Sequence, residues 1–593
     1  MSPDNEVETD APAGSTRAGS GPDWSARKRA PGTKPRVIVI GAGMAGMATA
    51  IYGQMSGLET RIFEKHVLPG GCCTAWSRKG YIFDYCIEWL NGTAPGNNAN
   101  QVWRELGALD GKTVKNFELF NKVVDENGRE VLFYNDPDRL QQHLSEVSPA
   151  DAPLIKAFCD DLRRFTKLAL HPFLKPPPLE NWSEKFAMMR QVLPAFRLFW
   201  RTGAAQMGPY ADRFADPLLR RGFRNMFFQD PQNFAVLPYL YNLAEAHNDN
   251  VGFPQGGSLG LSRSVEERYL GLGGHIAYRT RVDKVLVEEG RAVGVQLKNG
   301  ECHYADHVVA ACDGVFTLKQ LLDGKYSNPR LDKLFNDVLH RPGERYPGVV
   351  SAFVGFEGDV PESESHSTTY LLSAEDAAKL PGGDQGSLVV QLRSRYSDGF
   401  APPGKSVIHC TYFSDYDYWK NLRSSDRKQY WAKKREVAEF VREFLEKKYP
   451  GIGERIELVD VGTPATTERY TGNHKGAILA WKSPDADDLL AALVKKDRMR
   501  LQGLRGFSMA GHWINGGSLI KAASSGRFAA MYLCEELGVP FKAWESANSE
   551  PWHRDKLGHL PQLDKEPPLE RAPRPLRLVE TPSVPALAQA PAV

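Results

Sequence analysis

The first regular pattern along the chain is 37–40 (VIVI), four apolar β-branched positions with no polar alternation, as expected of a strand buried on both faces. Gly41, Gly43 and Gly46 follow, small and apolar residues through 44–55 suit a helix, and a short strand at 61–63 ends on Glu64. Between 100 and 250 the period is helical. Residues 138–166 are amphipathic, 175–178 (KPPP) breaks the pattern, and 186–199 intersperses Arg190 and Arg197 among apolar residues, with Arg201 just beyond. Aromatics then crowd Phe214, Phe223, Phe227, Phe228, Phe234, Tyr239 and Tyr241. A helix is predicted over 260–271. Strand-like runs at 281–285, 293–297 and 306–311, with Asn299-Gly300 between the last two, predict a hairpin. Further strands are expected at 349–356, 387–392 and 407–413. A long helix over 427–448 carries Trp431, Val437, Phe440, Val441, Phe444 and Leu445 on one stripe and stops at Pro450. The stretch 503–527 reads as strand, glycine loop and helix.

The opening pattern has a mechanical meaning. In Gly41-x-Gly43-x-x-Gly46 the first glycine permits a tight turn, the second lets backbone approach a pyrophosphate, and the third lets helix and strand pack closely. The N–H groups of Met44, Ala45 and Gly46 at the helix start are then free for phosphate, and Glu64, roughly 20 residues on, accepts the ribose hydroxyls of an adenosine half. Strand, glycines, helix, strand and terminal acid in this order predict a dinucleotide site.

Residues 37–58 carry no charge, a length that also suits a membrane span at ~18–20 residues. Gly41, Gly43, Gly46, Gly53 and Gly57, with Gln54 and Ser56, fit a strand–turn–helix better, so a soluble or peripherally bound protein is expected. The 593 residues imply two or three domains. Net charge is +2, which gives no electrostatic case for a nucleic-acid partner. The eight cysteines are scattered without ligand or CxxC spacing, so neither a disulfide framework nor a metal site is expected, and a cytoplasmic setting is. Residues 1–34 and 561–593, rich in Ser, Gly, Pro and Ala, read as disordered extensions.

After Glu64 and Lys65 comes a second glycine pair, Gly70-Gly71, within EKHVLPGGCCTAWSRKGYIFDYCIEWLNG. This segment resembles the N-terminal region of the phytoene desaturase-like (carotenoid desaturase and isomerase) family of FAD oxidoreductases, within the amine-oxidase-like flavoproteins. The likeness recurs at 253–259, 273–285, 465–481 and 503–527, so it spans about 35 to 540. Cys72 stands where many members have Arg, Cys86 where many have Gly, His512 where an acidic or small residue is common, and Lys521 where a small one is.

The resemblance implies an α/β fold: a Rossmann-type (GR2-like) FAD-binding domain over 35–110, 251–330 and 496–540, interleaved with a helical cap over 111–250 and a mixed-sheet substrate domain over 331–495. It implies FAD as cofactor. Gly70 and Gly71 would pass the middle of the cofactor, Val282 would meet the adenine through its backbone, and Gly511, His512, Gly517, Ser518 and Leu519 would return to the flavin. A helix start there favours the negative charge that reduction builds. Arg469, Tyr470, His474 and Lys475 are candidates for the wall between substrate and flavin.

The implied activity is oxidation of a long apolar polyene or isoprenoid by hydride transfer to flavin, with His247, Glu245 or His474 as the proton acceptor and oxygen or a quinone as electron acceptor. Two other functions use the same site: a flavin-dependent isomerase or saturase, and an amine or small-molecule oxidase. The basic, aromatic 186–201 region suits a cap resting on a membrane surface, at the inner face of a membrane.

Overall fold

The computed structural model describes residues 24–27, 29–168, 174–227, 235–336, 340, 348–383, 386–480, 499–558, 560 and 569–570. Phe228, Phe234 and the 481–495 part of the expected substrate domain lie outside them, as do residues 1–23 and nearly all of 561–593.

The uncharged opening stretch folds as strand, turn and helix. β1 (Arg36–Ile40) lies at the centre of a five-stranded parallel sheet. β2 (Glu59–Phe63) and β3 (His275–Ala277) lie to one side, β4 (His307–Ala310) and β5 (Phe507–Met509) to the other, giving the order β3-β2-β1-β4-β5. Central strands of such a sheet are buried on both faces, which is why Val37, Ile38 and Val39 are all fully buried. Three helices cover it: α1 (Met44–Met55), α2 (Gly257–Gly271) and α3 (Leu519–Leu537). α1 and α3 touch backbone to backbone, and a Cβ at Gly526 would come 2.3 Å from the Ala45 carbonyl oxygen. A buried ion pair fastens them: Arg527 Nε meets Glu105 Oε2 at 2.9 Å, and the Tyr52 hydroxyl donates to the same oxygen at 2.7 Å.

The second sheet has eight strands, running in space through Leu569–Glu570, Ile456–Gly462, Gly348–Glu357, Lys405–Ser414, Ser387–Leu392, Ser367–Leu371, Leu119–Val124 and Glu130–Tyr134. All neighbours are antiparallel except Ser367–Leu371 with Leu119–Val124. The helix Arg427–Lys448 has the expected bounds and buries Val437, Phe440, Val441, Phe444 and Leu445 against this sheet, while Trp431 is only half-buried. The turn at Asn299-Gly300, with Gly300 at φ +89°, joins Arg291–Leu297 to Cys302–Tyr304 and not to the expected 306–311 run, because His307–Ala310 is taken up as β4 by the parallel sheet.

Four further features differ from the sequence expectation. The 111–250 region is not helical throughout, because Leu119–Val124 and Glu130–Tyr134 alternate buried and half-buried positions and complete the far edge of the eight-stranded sheet. The N-terminal extension packs from Trp24 onward: its ring is fully buried, and its carbonyl accepts the Tyr304 N–H at 2.8 Å. Past residue 540 the chain continues over the nucleotide domain, where Trp552 is buried against α2 and donates its backbone N–H to Gly111 at 2.9 Å. Leu569–Glu570, inside the expected C-terminal tail, pairs with Ile456–Gly462. Among the described residues no helix is long and apolar enough to cross a membrane.

Candidate active site

The site begins at the turn after β1. Gly41 has φ +103°, a conformation open to glycine but strained for side chains, and its N–H donates to Phe63 at the end of β2. Gly43 caps α1 without any side-chain hydrogen bond, so the first-turn amides face outward to a ligand. A Cβ at Gly46 would lie 2.0 Å from the Gly41 carbonyl oxygen; glycine there is what lets α1 lean on its own turn.

Glu64 closes this turn from the side. Its Oε2 accepts the Ala42 N–H and its Oε1 the His66 N–H, each at 2.7 Å, leaving further lone pairs on both oxygens for hydroxyl donors. Burial raises its carboxyl above the usual range in spite of these amides. Gly70 donates its N–H to the Ala42 carbonyl at 2.8 Å, so the second glycine pair is laid against the first glycine turn.

A cavity runs from these turns to the eight-stranded sheet. Gly41, Gly43, Met44, Ala45, Glu64, Gly70, Gly71, Tyr470, Gly511, His512 and Leu519 line it. The far wall comes from elsewhere: Trp76, Tyr85, Asp313, Asp460, Thr467 and Trp513. Trp76 Nε1 donates to Asp460 Oδ2 at 2.9 Å, and Arg78 Nε meets the same oxygen at 3.2 Å, so that carboxylate is neutralised within the wall. The Tyr85 hydroxyl and Thr467 Oγ1 lie 2.5 Å apart. Asp313, just past β4, accepts the Phe316 N–H at 2.7 Å and the His474 N–H at 2.8 Å, and burial pushes its carboxyl up to about 6.

The other predicted residues are placed as follows. Gly46 lies beneath the turn; Lys65 Nζ reaches the Arg469 carbonyl at 3.4 Å; Val282 is buried at the start of its strand, two residues after Thr280, whose N–H donates to the Glu64 carbonyl at 2.8 Å. Gly517 packs on Leu479, and Ser518 caps α3 by accepting the Lys521 N–H at 3.3 Å. Arg469 is exposed, and Lys475 pairs with Asp417 at 3.1 Å on the surface. His474 touches the site through the backbone bond to Asp313, and its ring meets Trp513 edge-on.

Glu245 and His247 do not line this cavity. Both stand at the end of the helix Val236–His247, where Glu245 is buried and bonded to Asn250, and His247 is exposed 3.9 Å from Asp136. The substitutions at Cys72 and Cys86 are accommodated locally. Asn473 Nδ2 donates to Cys72 Sγ at 3.2 Å, and Cys86 keeps a negative φ while its N–H reaches Ser258 Oγ at 3.3 Å. All eight cysteines are free, and among the described residues no group of three His, Cys, Asp or Glu could hold a metal.

The donor set fits a flavin dinucleotide. A Cβ at Gly43 would project into open cavity, and Thr74 Oγ1 and His512 Nε2, both buried in its wall, lack any partner within the protein. Sheet order, glycine turn and terminal acid together define a dinucleotide-binding flavoprotein. A family model described as flavin containing amine oxidoreductase matches residues 44–534, and the chain belongs to that family. It is an FAD-dependent oxidoreductase of α/β, Rossmann-type architecture with a mixed-sheet second domain. The chain is 26% identical to prolycopene isomerase of Arabidopsis thaliana, over 74% of this chain and 73% of that protein. It is also 26% identical to phytoene desaturase (neurosporene-forming) of Cereibacter sphaeroides, over 73% of this chain and 83% of that one. The solved structure of cyclohexylamine oxidase from Brevibacterium oxydans superposes with TM-score 0.52 at 14% identity, covering 85% of this chain and all of that one, a likeness of fold alone.

Proposed function

We propose that the chain oxidises a long apolar polyene of carotenoid type, introducing a double bond. The observation that carries this reading is the long cavity that begins at the dinucleotide turn and ends among Trp76, Tyr85 and Trp513. The ion pair of Asp460 with Arg78 in its wall is internally neutralised, which suits a hydrocarbon. The two carotenoid relatives support the same substrate class.

FAD, when bound, supplies the hydride acceptor. The glycine turn, the first turn of α1 and Glu64 hold the nucleotide end. The aromatic wall excludes water and keeps the chain of the substrate extended. Burial brings His512 down to about 4, so it is neutral at physiological pH and lends no positive charge. Asp313, with its carboxyl near 6, is the wall group poised to take a proton at Oδ2, and the His474 amide holds that oxygen in place. His474 thus acts through its backbone in this reading, while Glu245 and His247 take no part.

Anaerobic mixing of the purified holoprotein with phytoene or prolycopene, following flavin absorbance, tests the proposal. Bleaching with a new double bond supports it. An isomerised product without net bleaching favours the isomerase reading, for which the Arabidopsis relative is the argument. No response to any isoprenoid, with peroxide released from amines instead, overturns it.

The cap supports peripheral membrane contact, which would deliver such a substrate. Trp182 is 88% and Leu193 68% exposed, with Phe186, Met189, Phe196 and Trp200 also outward and Arg190 and Arg197 among them. Apolar and aromatic groups rimmed by arginine fit the headgroup boundary of an anionic bilayer. Flotation with phosphatidylglycerol liposomes should carry the protein upward; failure to float removes this part.

A further inference from the structure

A second, smaller cavity lies a short way along the chain from the first. Tyr85 lines the first cavity, whereas Glu88 and Trp89 line the second. Four peptide steps span at most about 14 Å, so one extended isoprenoid is long enough to visit both.

The second cavity is walled by rings. Trp89, Phe120 and Phe227 meet at centroid distances of 4.7 to 5.7 Å, and opposite them Phe117 stacks on His366 at 3.7 Å. Set into this apolar box are Glu88, Asn135, His366 and Gln391. Asn135 and Gln391 are 7% and 3% exposed, yet Asn135 Oδ1 and Gln391 Oε1 accept no hydrogen bond. A buried acceptor left this way is destabilising until a donor reaches it. A pure hydrocarbon would leave both unpaired.

Charge narrows the choice of ligand. Arg393 is fully buried behind this wall, donating to the Ile87 carbonyl at 2.7 Å and lying 3.1 Å from His409 Nδ1. Burial, with the nearby charges of Lys115 and Arg393, pushes His366 down to about 3, so its imidazole is neutral with one donor and one acceptor nitrogen. The same two cations disfavour an ammonium group. The two unpaired amide oxygens disfavour an anion, and burial raises the carboxyl of Glu88, which already bonds to the Gln391 side chain. A neutral hydroxyl, which donates once and accepts besides, meets the set.

We propose that this second cavity is a subsite for the hydroxyl-bearing end of an isoprenoid alcohol, held among Glu88, His366 and Gln391 while the rest of the chain extends toward the first cavity. The inference rests on the polyene reading above.

The test uses two probes that differ in one donor, geranylgeraniol and geranylgeranyl methyl ether, with binding followed by tryptophan fluorescence of the purified holoprotein. The alcohol should bind about tenfold more tightly than the ether, and both Gln391→Met and Glu88→Gln should shrink that ratio toward one. Flavin content of each variant reports whether it has folded. Equal affinity for the two probes, or a preference that survives in both folded variants, overturns the subsite while leaving the polyene reading standing. Binding of neither probe overturns the subsite, and flavin bleaching by phytoene or prolycopene then decides the polyene reading separately.

Discussion

His474 donates its backbone N–H to Asp313 Oδ2 at 2.8 Å, joining the loop after β4 to a turn of the substrate domain at the edge of the large cavity. The bond couples the geometry of the two domains to one carboxylate. If Asp313 takes the substrate proton, its ionised form is the active one, and kcat/KM should rise as pH rises through about 6. Asp313→Asn should abolish that limb in a profile from pH 5 to 8 and lower the plateau by 10²–10⁴. An unchanged limb would assign the proton elsewhere.

Glu64→Gln should release FAD. Glutamine offers one acceptor oxygen where the Ala42 and His66 amides need two, and the ribose loses a charged partner. An affinity loss of about tenfold or more, about 1.4 kcal/mol, is expected from flavin recovered after ultrafiltration.

Glu245 gives a stability prediction with a definite sign. Burial raises it from 4.5 to about 7, so between those values the folded state holds the proton more tightly than the unfolded chain does. Its stabilising contribution is full below about pH 4.5 and is lost as pH rises through 7. Glu245→Gln keeps an oxygen for Asn250 and cannot ionise. Relative to wild type the variant should gain on the order of 2 kcal/mol between pH 5 and pH 8, read from urea midpoints at the two pH values. A difference that does not change with pH would contradict the assignment.

Trp552→Ala should cost about 3–5 kcal/mol in urea unfolding, the usual loss for a buried tryptophan. Its ring fills the space above Gly256 and Gly260 on α2. A loss below 1 kcal/mol would mean that the segment after residue 540 merely lies on the surface.

The nucleotide half of the site was legible because its chemistry is local. Strand, glycines, helix and Glu64 are consecutive, and each is tied to the next by bonds within that stretch or just beyond it. The opposite wall was not legible. Trp76, Asp313, Asp460 and Trp513 come from four distant segments, and each reads alone as an ordinary core or loop residue. Asp313 carried a faint signal, an acid directly after the small residues that end β4. The two strands at the sheet's far edge were hidden by their helical surroundings, and Trp24 by the composition around it. Residue type alone makes Glu245 and His247 candidate bases, but their helix directs them into its own core or to solvent.

The order in which the parallel sheet is encoded has a consequence for how the protein is made. β1 leaves the ribosome early, yet β5, which completes the sheet, follows most of the eight-stranded sheet in sequence. At about 5–20 residues per second the interval is on the order of a minute. From its own emergence until β5 follows, β4 presents an unpaired rim to other nascent chains, and His512 and Leu519 have not yet been translated. Coenzyme capture that uses His512 and Leu519 therefore comes late in synthesis, and yield on overproduction should rise when flavin supply is raised.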